Sequence, residues 1–193
     1  MNFVSRVLVS ALICIPALAD AQGKDAKAAR PAAAAPAPVA VPVSTNPERT
    51  TATYGDWVMR CERGPQTKRI CEVAQTITLQ GQAQPTAQIA IGRPEPGASK
   101  QVTVVLPSNI AFAAKPRISV AKAGAAPIEL IWQRCTPGAC FATVPITDSA
   151  LAALSLETEP GRIQFKDAAD RDAVLPLAFR GLAQALEALA KES

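Results

Sequence analysis

The chain has 193 residues, a formal net charge of +4 and no histidine. The lack of histidine removes the most frequent general base and the most frequent zinc ligand, which disfavours many hydrolase and metalloenzyme classes. Because the positive charge is not gathered into a dense Lys/Arg block and aromatic residues make up only 4% of the chain, the composition also argues against a nucleic-acid-binding protein.

The first residues have the pattern of a secretory signal peptide. Arg6 precedes an apolar run over Val7–Leu18, and small residues follow at Ala19 and Ala21. The run is about a dozen residues long, whereas a membrane-spanning helix takes about 20. We therefore predict a leader over residues 1–21 that is cleaved after Ala19 or Ala21, with no transmembrane segment in the mature chain.

Residues 22–53 consist mainly of Ala, Pro and small polar residues. Few of them have large apolar side chains to bury, so ordering this stretch would not repay its entropy. Prolines at positions 31, 36, 38 and 42 would interrupt a helix of the alanine run. We predict a disordered Ala/Pro-rich linker over residues 22–53.

Residues 54–191 are predicted to form one mainly β domain, a β-sandwich of short antiparallel strands with a C-terminal helix. Short runs with β-branched residues are separated by Pro and Gly, and the alternation from Cys71 to Leu79 is typical of a half-buried strand. The predicted strands are Trp57–Cys61, Ile70–Leu79, Ala87–Gly92, Gln101–Leu106, Arg117–Lys122, Ile128–Arg134, Cys140–Pro145, Arg162–Lys166 and Ala173–Phe179. Seven short strands with regular turns, followed by two more, favour this class.

Two helices are expected. Asp148 is predicted to cap a short helix over Ser149–Leu154. The second helix, Gly181–Lys191, has three leucines on one face, at positions 182, 186 and 189. A helix for a partner or a membrane surface is the alternative, but its other face is mostly Ala, which favours packing on the sheet.

The cysteines predict two local disulfides. Cys14 would leave with the leader, and four cysteines remain in a compartment where disulfides persist. In Cys135–Cys140 a central Pro-Gly suits a type II turn that closes a hairpin, so these two cysteines would face each other. Cys61 and Cys71 would then close a second loop. Three pairings are possible for four cysteines, and this one is preferred.

The cysteine spacing does not fit a metal or redox site. Zinc knuckles use two residues between cysteines, and here nine and four intervene. A thioredoxin-like site needs Cys-x-x-Cys at a helix start, which neither pair offers. We therefore predict no metal and no cofactor.

A basic rim surrounds the first cysteine pair and is the candidate binding site. It consists of Arg60, Arg63, Lys68 and Arg69. Such a rim could bind an anionic partner such as lipid head groups, surface polyanions or an acidic protein face. Glu62 and Glu72 dilute the charge, and a solubilising hairpin edge is the simpler alternative.

Acidic residues offer two further possibilities. Asp167, Asp170 and Asp172 are clustered as calcium ligands can be, but their spacing differs from an EF-hand and favours a solvated turn. Asp148 with Glu157 or Glu159 could serve as the carboxylate pair of a hydrolase acting on envelope glycans or peptides. The scarcity of aromatic residues to line a sugar cleft makes this the alternative function.

Several motifs occur in an order that resembles the invasion-associated locus B family of bacterial exported proteins, over about Tyr54–Leu189. The motifs are Tyr54-Gly-Asp-Trp57 before Cys61, Arg69-Ile-Cys71, the Cys135/Gly138/Cys140 turn and the segment from Pro176 through Phe179 and Gly181 to Leu186. The resemblance implies a periplasmic or secreted β-sandwich in a family named for host-cell entry, with no catalytic residue or cofactor to transfer.

Together these observations predict an exported, non-enzymatic envelope protein that serves as a binding or structural module. The family's name adds a contribution to host-cell interaction or invasion as an expectation. Its partner would be an unknown envelope or host-surface component. Trp57 and Trp132 are expected to be structural aromatics beside the two bridges.

Overall fold

A computed structural model describes residues 47–63 and 68–192. The predicted signal peptide, Cys14 and residues 22–46 of the predicted linker lie outside this part of the chain. The described residues form two antiparallel sheets and two helices, which confirms the predicted mainly β class. The elements are β1 (Arg49–Tyr54), β2 (Trp57–Arg63), β3 (Arg69–Ile77), β4 (Ala87–Gly92), β5 (Gln101–Pro107), β6 (Arg117–Ser119), β7 (Ile128–Glu129), β8 (Ile131–Cys135), β9 (Ala139–Pro145), α1 (Asp148–Ser155), β10 (Gly161–Lys166), β11 (Asp172–Leu177) and α2 (Leu182–Lys191).

The two sheets enclose one hydrophobic core. The larger sheet has the strand order β1-β2-β3-β4-β5-β9-β8, and the smaller one has the order β11-β10-β6-β7. Side chains alternate between buried and half-exposed along β5, where Val102, Val104 and Leu106 point into the core. Helix α2 packs against β1, β2 and β3 and joins the same core.

Strand β1 corrects the predicted end of the linker. The linker was expected to run to residue 53, but Arg49–Tyr54 pairs with β2 from Arg49 opposite Glu62 to Tyr54 opposite Trp57. Its threonines are β-branched and suit an edge strand, and Thr50 and Ala52 are half-buried. A run without large apolar residues gives little periodic signal, which is why the strand was missed.

The predicted strand Ile128–Arg134 is two strands in different sheets. β7 pairs with β6 in the smaller sheet, and β8 pairs with β9 in the larger one. Leu130 lies between them, fully buried, and its N–H donates to the carbonyl of Pro116 at 2.9 Å. The chain thus crosses from one sheet to the other at a single core residue.

Both predicted helices are present, with one correction. Helix α1 is capped by Thr147, whose hydroxyl accepts from the N–H of Ala150, and the expected cap Asp148 is instead the first helical residue. In α2, Leu182 and Leu189 are buried as predicted, together with Ala185, whereas the expected Leu186 is half-buried. No helix of the described ranges is long and apolar enough to span a bilayer.

Two glycines make a close backbone crossing between the first turn of the domain and its last loop. Gly55 and Gly181 have φ of +58° and +90°. A Cβ on Gly181 would lie 2.0 Å from the carbonyl oxygen of Tyr54, and one on Gly55 would lie 2.6 Å from that of Arg180. The N–H of Asp56 donates to Arg180 O at 3.0 Å. Only glycine fits at these positions. The close approach and the hydrogen bond join the two ends of the domain.

Side chains reinforce this crossing from the core. The indole N–H of the buried Trp57 donates to Ala178 O at 3.0 Å. The amide of the buried Gln75 donates to the same carbonyl and accepts from Ala178 N, both at 3.0 Å. The backbone between β11 and α2 is therefore held by two buried side chains from β2 and β3.

Candidate functional site

Both disulfides form as predicted. Cys61 lies opposite Cys71 in the β2–β3 ladder, and Cys135 lies opposite Cys140 in the β8–β9 ladder. The first bridge fixes the end of the β2–β3 hairpin from which the basic rim extends.

The turn within Cys135–Cys140 differs from the prediction. A type II turn would place Gly138 at positive φ, but this residue is outside the left-handed region. The N–H of Thr136 donates to Ala139 O at 2.8 Å, and the Thr136 hydroxyl donates to the same oxygen at 3.1 Å. The threonine side chain thus helps to close this hairpin, and glycine's conformational freedom is not used.

The rim residues lie at one end of the larger sheet, but most have internal partners. The guanidinium of Arg60 pairs with Glu72 at 2.5 Å on the outer face. Arg69 donates to the Thr50 hydroxyl at 2.5 Å and lies 3.3 Å from a carboxylate oxygen of Glu192. Arg63 is opposite Arg69 in the ladder, and Lys68 is exposed.

Two further cations, Arg93 and Lys100, extend the rim. With Arg69 they line a depression of about 480 Å³ whose wall includes Cys71 and Leu189. Arg93 also borders a second depression of about 260 Å³ together with Arg60 and Arg63. The sequence analysis missed both residues because they lie on either side of the β4–β5 loop. Recognising that β3, β4 and β5 are consecutive antiparallel neighbours would have placed them beside the hairpin.

The acidic residues of this region set its electrostatics. Glu95 and Glu192 line the larger depression, and Asp148 pairs with Lys100 at 2.7 Å. The hydrogen bond from Lys100 lowers the pKa of Asp148 below its ordinary value. Each arginine has five N–H donors, so even Arg69, with its two internal partners, keeps donors free for an oxyanion. The site is therefore suited to recognise anionic groups, in competition with its own carboxylates.

The possible metal and catalytic groups do not assemble as separate sites. The sulfurs of Cys61 and Cys71 lie near the carboxylate of Glu192, but they are bonded to each other and offer no thiolate. Asp148 begins α1 and pairs with Lys100, whereas Glu157 and Glu159 follow the end of the helix. The carboxylate of Asp148 therefore has a cation as its described partner.

The acidic segment 167–172 is the turn between β10 and β11. Asp167 accepts hydrogen bonds from the N–H groups of Ala169 and Arg171 at 2.9 and 3.0 Å and pairs with the Arg171 side chain. The hydrogen bond from that side chain lowers the pKa of Asp167. Asp170 takes a positive φ of 60°. The carboxylate of Asp167, which would be the first ligand of a calcium loop, is instead hydrogen-bonded within the turn.

The two tryptophans have different surroundings. Trp57 is buried in the core, whereas Trp132 is partly buried at the edge strand β8. The indole N–H of Trp132 donates to Ala114 O at 2.9 Å, and its ring meets the exposed Phe112 edge-on, with centroids 5.6 Å apart. Both indole N–H groups thus hold a loop carbonyl.

Comparison with known proteins agrees with this architecture. The family model described as Invasion associated locus B (IalB) protein matches residues 57–190. The crystal structure of invasion associated protein b from Bartonella henselae is similar, with a TM-score of 0.61 and 21% identity over 74% of this chain and 95% of that chain. At this identity the shared feature is the fold. No curated protein matches the chain in sequence.

Proposed function

Because the chain belongs to the Invasion associated locus B family, we propose that it is an exported, non-enzymatic binding module of the bacterial envelope that recognises an anionic partner through its basic rim. The observation that carries this proposal is the arrangement at the β2–β3 hairpin. A disulfide and two neighbouring strands hold Arg60, Arg69 and Arg93 around two open depressions.

Three of the described carboxyls act as ion-pair partners, which fits the proposal. Hydrogen bonds from Arg180, Lys100 and Arg171 lower the pKa of Asp56, Asp148 and Asp167, respectively. A carboxylic acid that donates a proton near neutral pH needs a pKa shifted upward. These three carboxyls are shifted in the opposite direction and act as ion-pair partners.

The two disulfides support a location in an oxidising compartment, which in bacteria means the periplasm or the medium. Within this proposal the partner is a component of the envelope or of a host-cell surface that carries negative charge. The family's name motivates a contribution to host-cell contact. Fractionation of the producing bacterium into periplasm, outer membrane and medium would locate the protein.

Binding of the mature protein to heparin, a sulfated polysaccharide, tests the rim directly. The double variant Lys68→Gln/Arg69→Gln should bind at least about tenfold more weakly, since a hydrogen bond to a charged group contributes about 1.5–3 kcal/mol. The variant Lys122→Gln/Arg171→Gln removes the same charge from exposed positions on other loops and should change the affinity less than about twofold.

Equal losses in the two variants would mean that net charge, and not the rim, governs binding. The same pair of proteins, labelled and applied to cultured animal cells, tests the host-cell part of the proposal, with loss of cell binding expected only in the rim variant. Turnover of an envelope glycan or peptide by the purified protein would contradict the non-enzymatic assignment.

A further inference from the structure

The outer face of the smaller sheet carries a second basic group that is separate from the rim. In the β6–β10 ladder Arg117 lies opposite Gln164, and Ser119 lies opposite Arg162. All four side chains point away from the core, because the alternate residues Ile118 and Ile163 are buried. The two arginines are therefore diagonal neighbours, about 7–8 Å apart at their Cα atoms.

These two arginines lack the carboxylates that neutralise most other cations of the fold. The described residues contain eight ion pairs, and neither Arg117 nor Arg162 takes part in any of them. The adjacent acids are already engaged, Glu129 with Lys115 and Asp172 with Lys166. Glu129 lies directly opposite Arg117 in the β6–β7 ladder but pairs with Lys115. An external anion can therefore supply the negative charge that both arginines lack.

The polar groups between the arginines favour an anion as well. The Ser119 hydroxyl donates to Oε1 of Gln164 at 3.1 Å, which occupies the acceptor of that amide and leaves its Nε2 hydrogens free. Beside this group, Arg117 and Gln164 line a depression of about 460 Å³ with two lysines, Lys115 and Lys166, and with the carboxylates that pair with them, Glu129 and Asp172. These two ion pairs balance in charge, so the two arginines leave the face with an excess of positive charge, which favours an oxyanion.

Strand β11 distinguishes among anionic partners. Val174 and Pro176 lie opposite Gln164 and Arg162, and both are exposed, Val174 by 50%. Phe165 is the one aromatic residue of these paired strands, and it points into the core, so the face offers no ring on which a sugar could stack. Exposed aliphatic residues beside guanidinium groups match the boundary between phosphates and acyl chains of a lipid layer.

We propose that the outer face of the smaller sheet docks on an anionic lipid surface, with Arg117 and Arg162 binding head-group phosphates and Val174, on the neighbouring edge strand, entering the layer beside them. The two sites then have different roles. The rim recognises a partner, while the sheet face holds the protein at a membrane from which the rim remains accessible.

Flotation with vesicles of equal parts phosphatidylcholine and phosphatidylglycerol tests this proposal on the mature protein at low salt. Arg117→Gln/Arg162→Gln should weaken vesicle partitioning about thirtyfold, since each cation near an anionic surface contributes about fivefold. The rim variant Lys68→Gln/Arg69→Gln removes equal charge and should change it less than about twofold. Vesicles of phosphatidylcholine alone should bind neither protein.

Val174→Ser gives a second, uncharged test. It should weaken partitioning about fivefold and leave heparin binding unchanged, because the aliphatic side chain gains free energy by burial in a lipid layer and not by contact with a polysaccharide. Equal loss in the sheet and rim variants would overturn the proposal in favour of net charge. Loss of heparin binding, but not of vesicle binding, in Arg117→Gln/Arg162→Gln would overturn it in favour of an anionic polysaccharide.

Discussion

Replacement of Gly181 by alanine tests the backbone crossing between Tyr54–Gly55 and Arg180–Gly181. Gly181 has φ of +90°, and a Cβ there would lie 2.0 Å from the oxygen and 2.4 Å from the carbon of the Tyr54 carbonyl. Holding alanine in the left-handed region costs about 1–2 kcal/mol. Overpacking against backbone atoms costs about 1–3 kcal/mol more, because neither chain can step aside without losing the hydrogen bond from Asp56.

We therefore expect Gly181→Ala to lower the free energy of unfolding by about 2–5 kcal/mol, a large part of the 5–15 kcal/mol typical of a domain. The thermal midpoint should fall by roughly 5–20 °C. Urea unfolding with the disulfides intact, followed by tryptophan fluorescence, would measure the change, since Trp57 lies beside the crossing.

Gly81→Ala is the matched control. Gly81 has a similar φ of +83°, but no atom lies within 4 Å of a Cβ built on it. The Gly81→Ala variant should lower the free energy of unfolding only by the cost of holding alanine in the left-handed region, about 1–2 kcal/mol. If Gly181→Ala proves no less stable than Gly81→Ala, the crossing is not the tight contact described above and the reasoning fails.

Two further predictions concern the same region. Gln75→Leu should lower the free energy of unfolding by about 1–3 kcal/mol, because it leaves the N–H of the half-buried Ala178 without its acceptor, whereas Gln88→Leu on the outer face should change it by less than about 0.5 kcal/mol. Equal urea midpoints for these two variants would contradict this. The hydrogen bond from Arg180 lowers the pKa of Asp56 below its ordinary 3.8, so the ionised carboxyl stabilises the fold above that pH and the contribution is lost as the pH falls through the lowered value. Asp56→Asn should be less stable than the unaltered protein at pH 7, and the difference should disappear in strong acid; a difference that is constant with pH would refute the assignment.

Strand positions and local bridges could be predicted from the sequence because their signals are local. Alternation marked the run that became β3, and the spacing of Cys135 and Cys140 indicated a hairpin. The predicted boundaries were wrong where the polarity of the sequence did not match the secondary structure. The threonines of β1 resemble the linker before them, and Leu130 is a single buried residue at which the chain changes sheets.

Long-range contacts could not be predicted in the same way. The crossing of Gly55 and Gly181 joins residues more than a hundred positions apart, and the glycine-containing motifs that suggested the family gave no sign that they meet. The candidate rim was found only within one hairpin. Arg93 and Lys100 needed the strand order, and the pair Arg117 and Arg162 needed the register of β6 against β10.

The contact between Tyr54–Trp57 and residues 178–181 has a consequence for biosynthesis. A polypeptide that leaves a ribosome or a translocation channel N-terminus first exposes its opening turn long before the closing loop emerges. The first turn and the indole of Trp57 can form their contacts only after residues 178–181 have emerged. Contacts between residues so far apart in sequence raise the contact order of the domain and slow its folding. Completion of the native state is thereby postponed until nearly the whole domain is free.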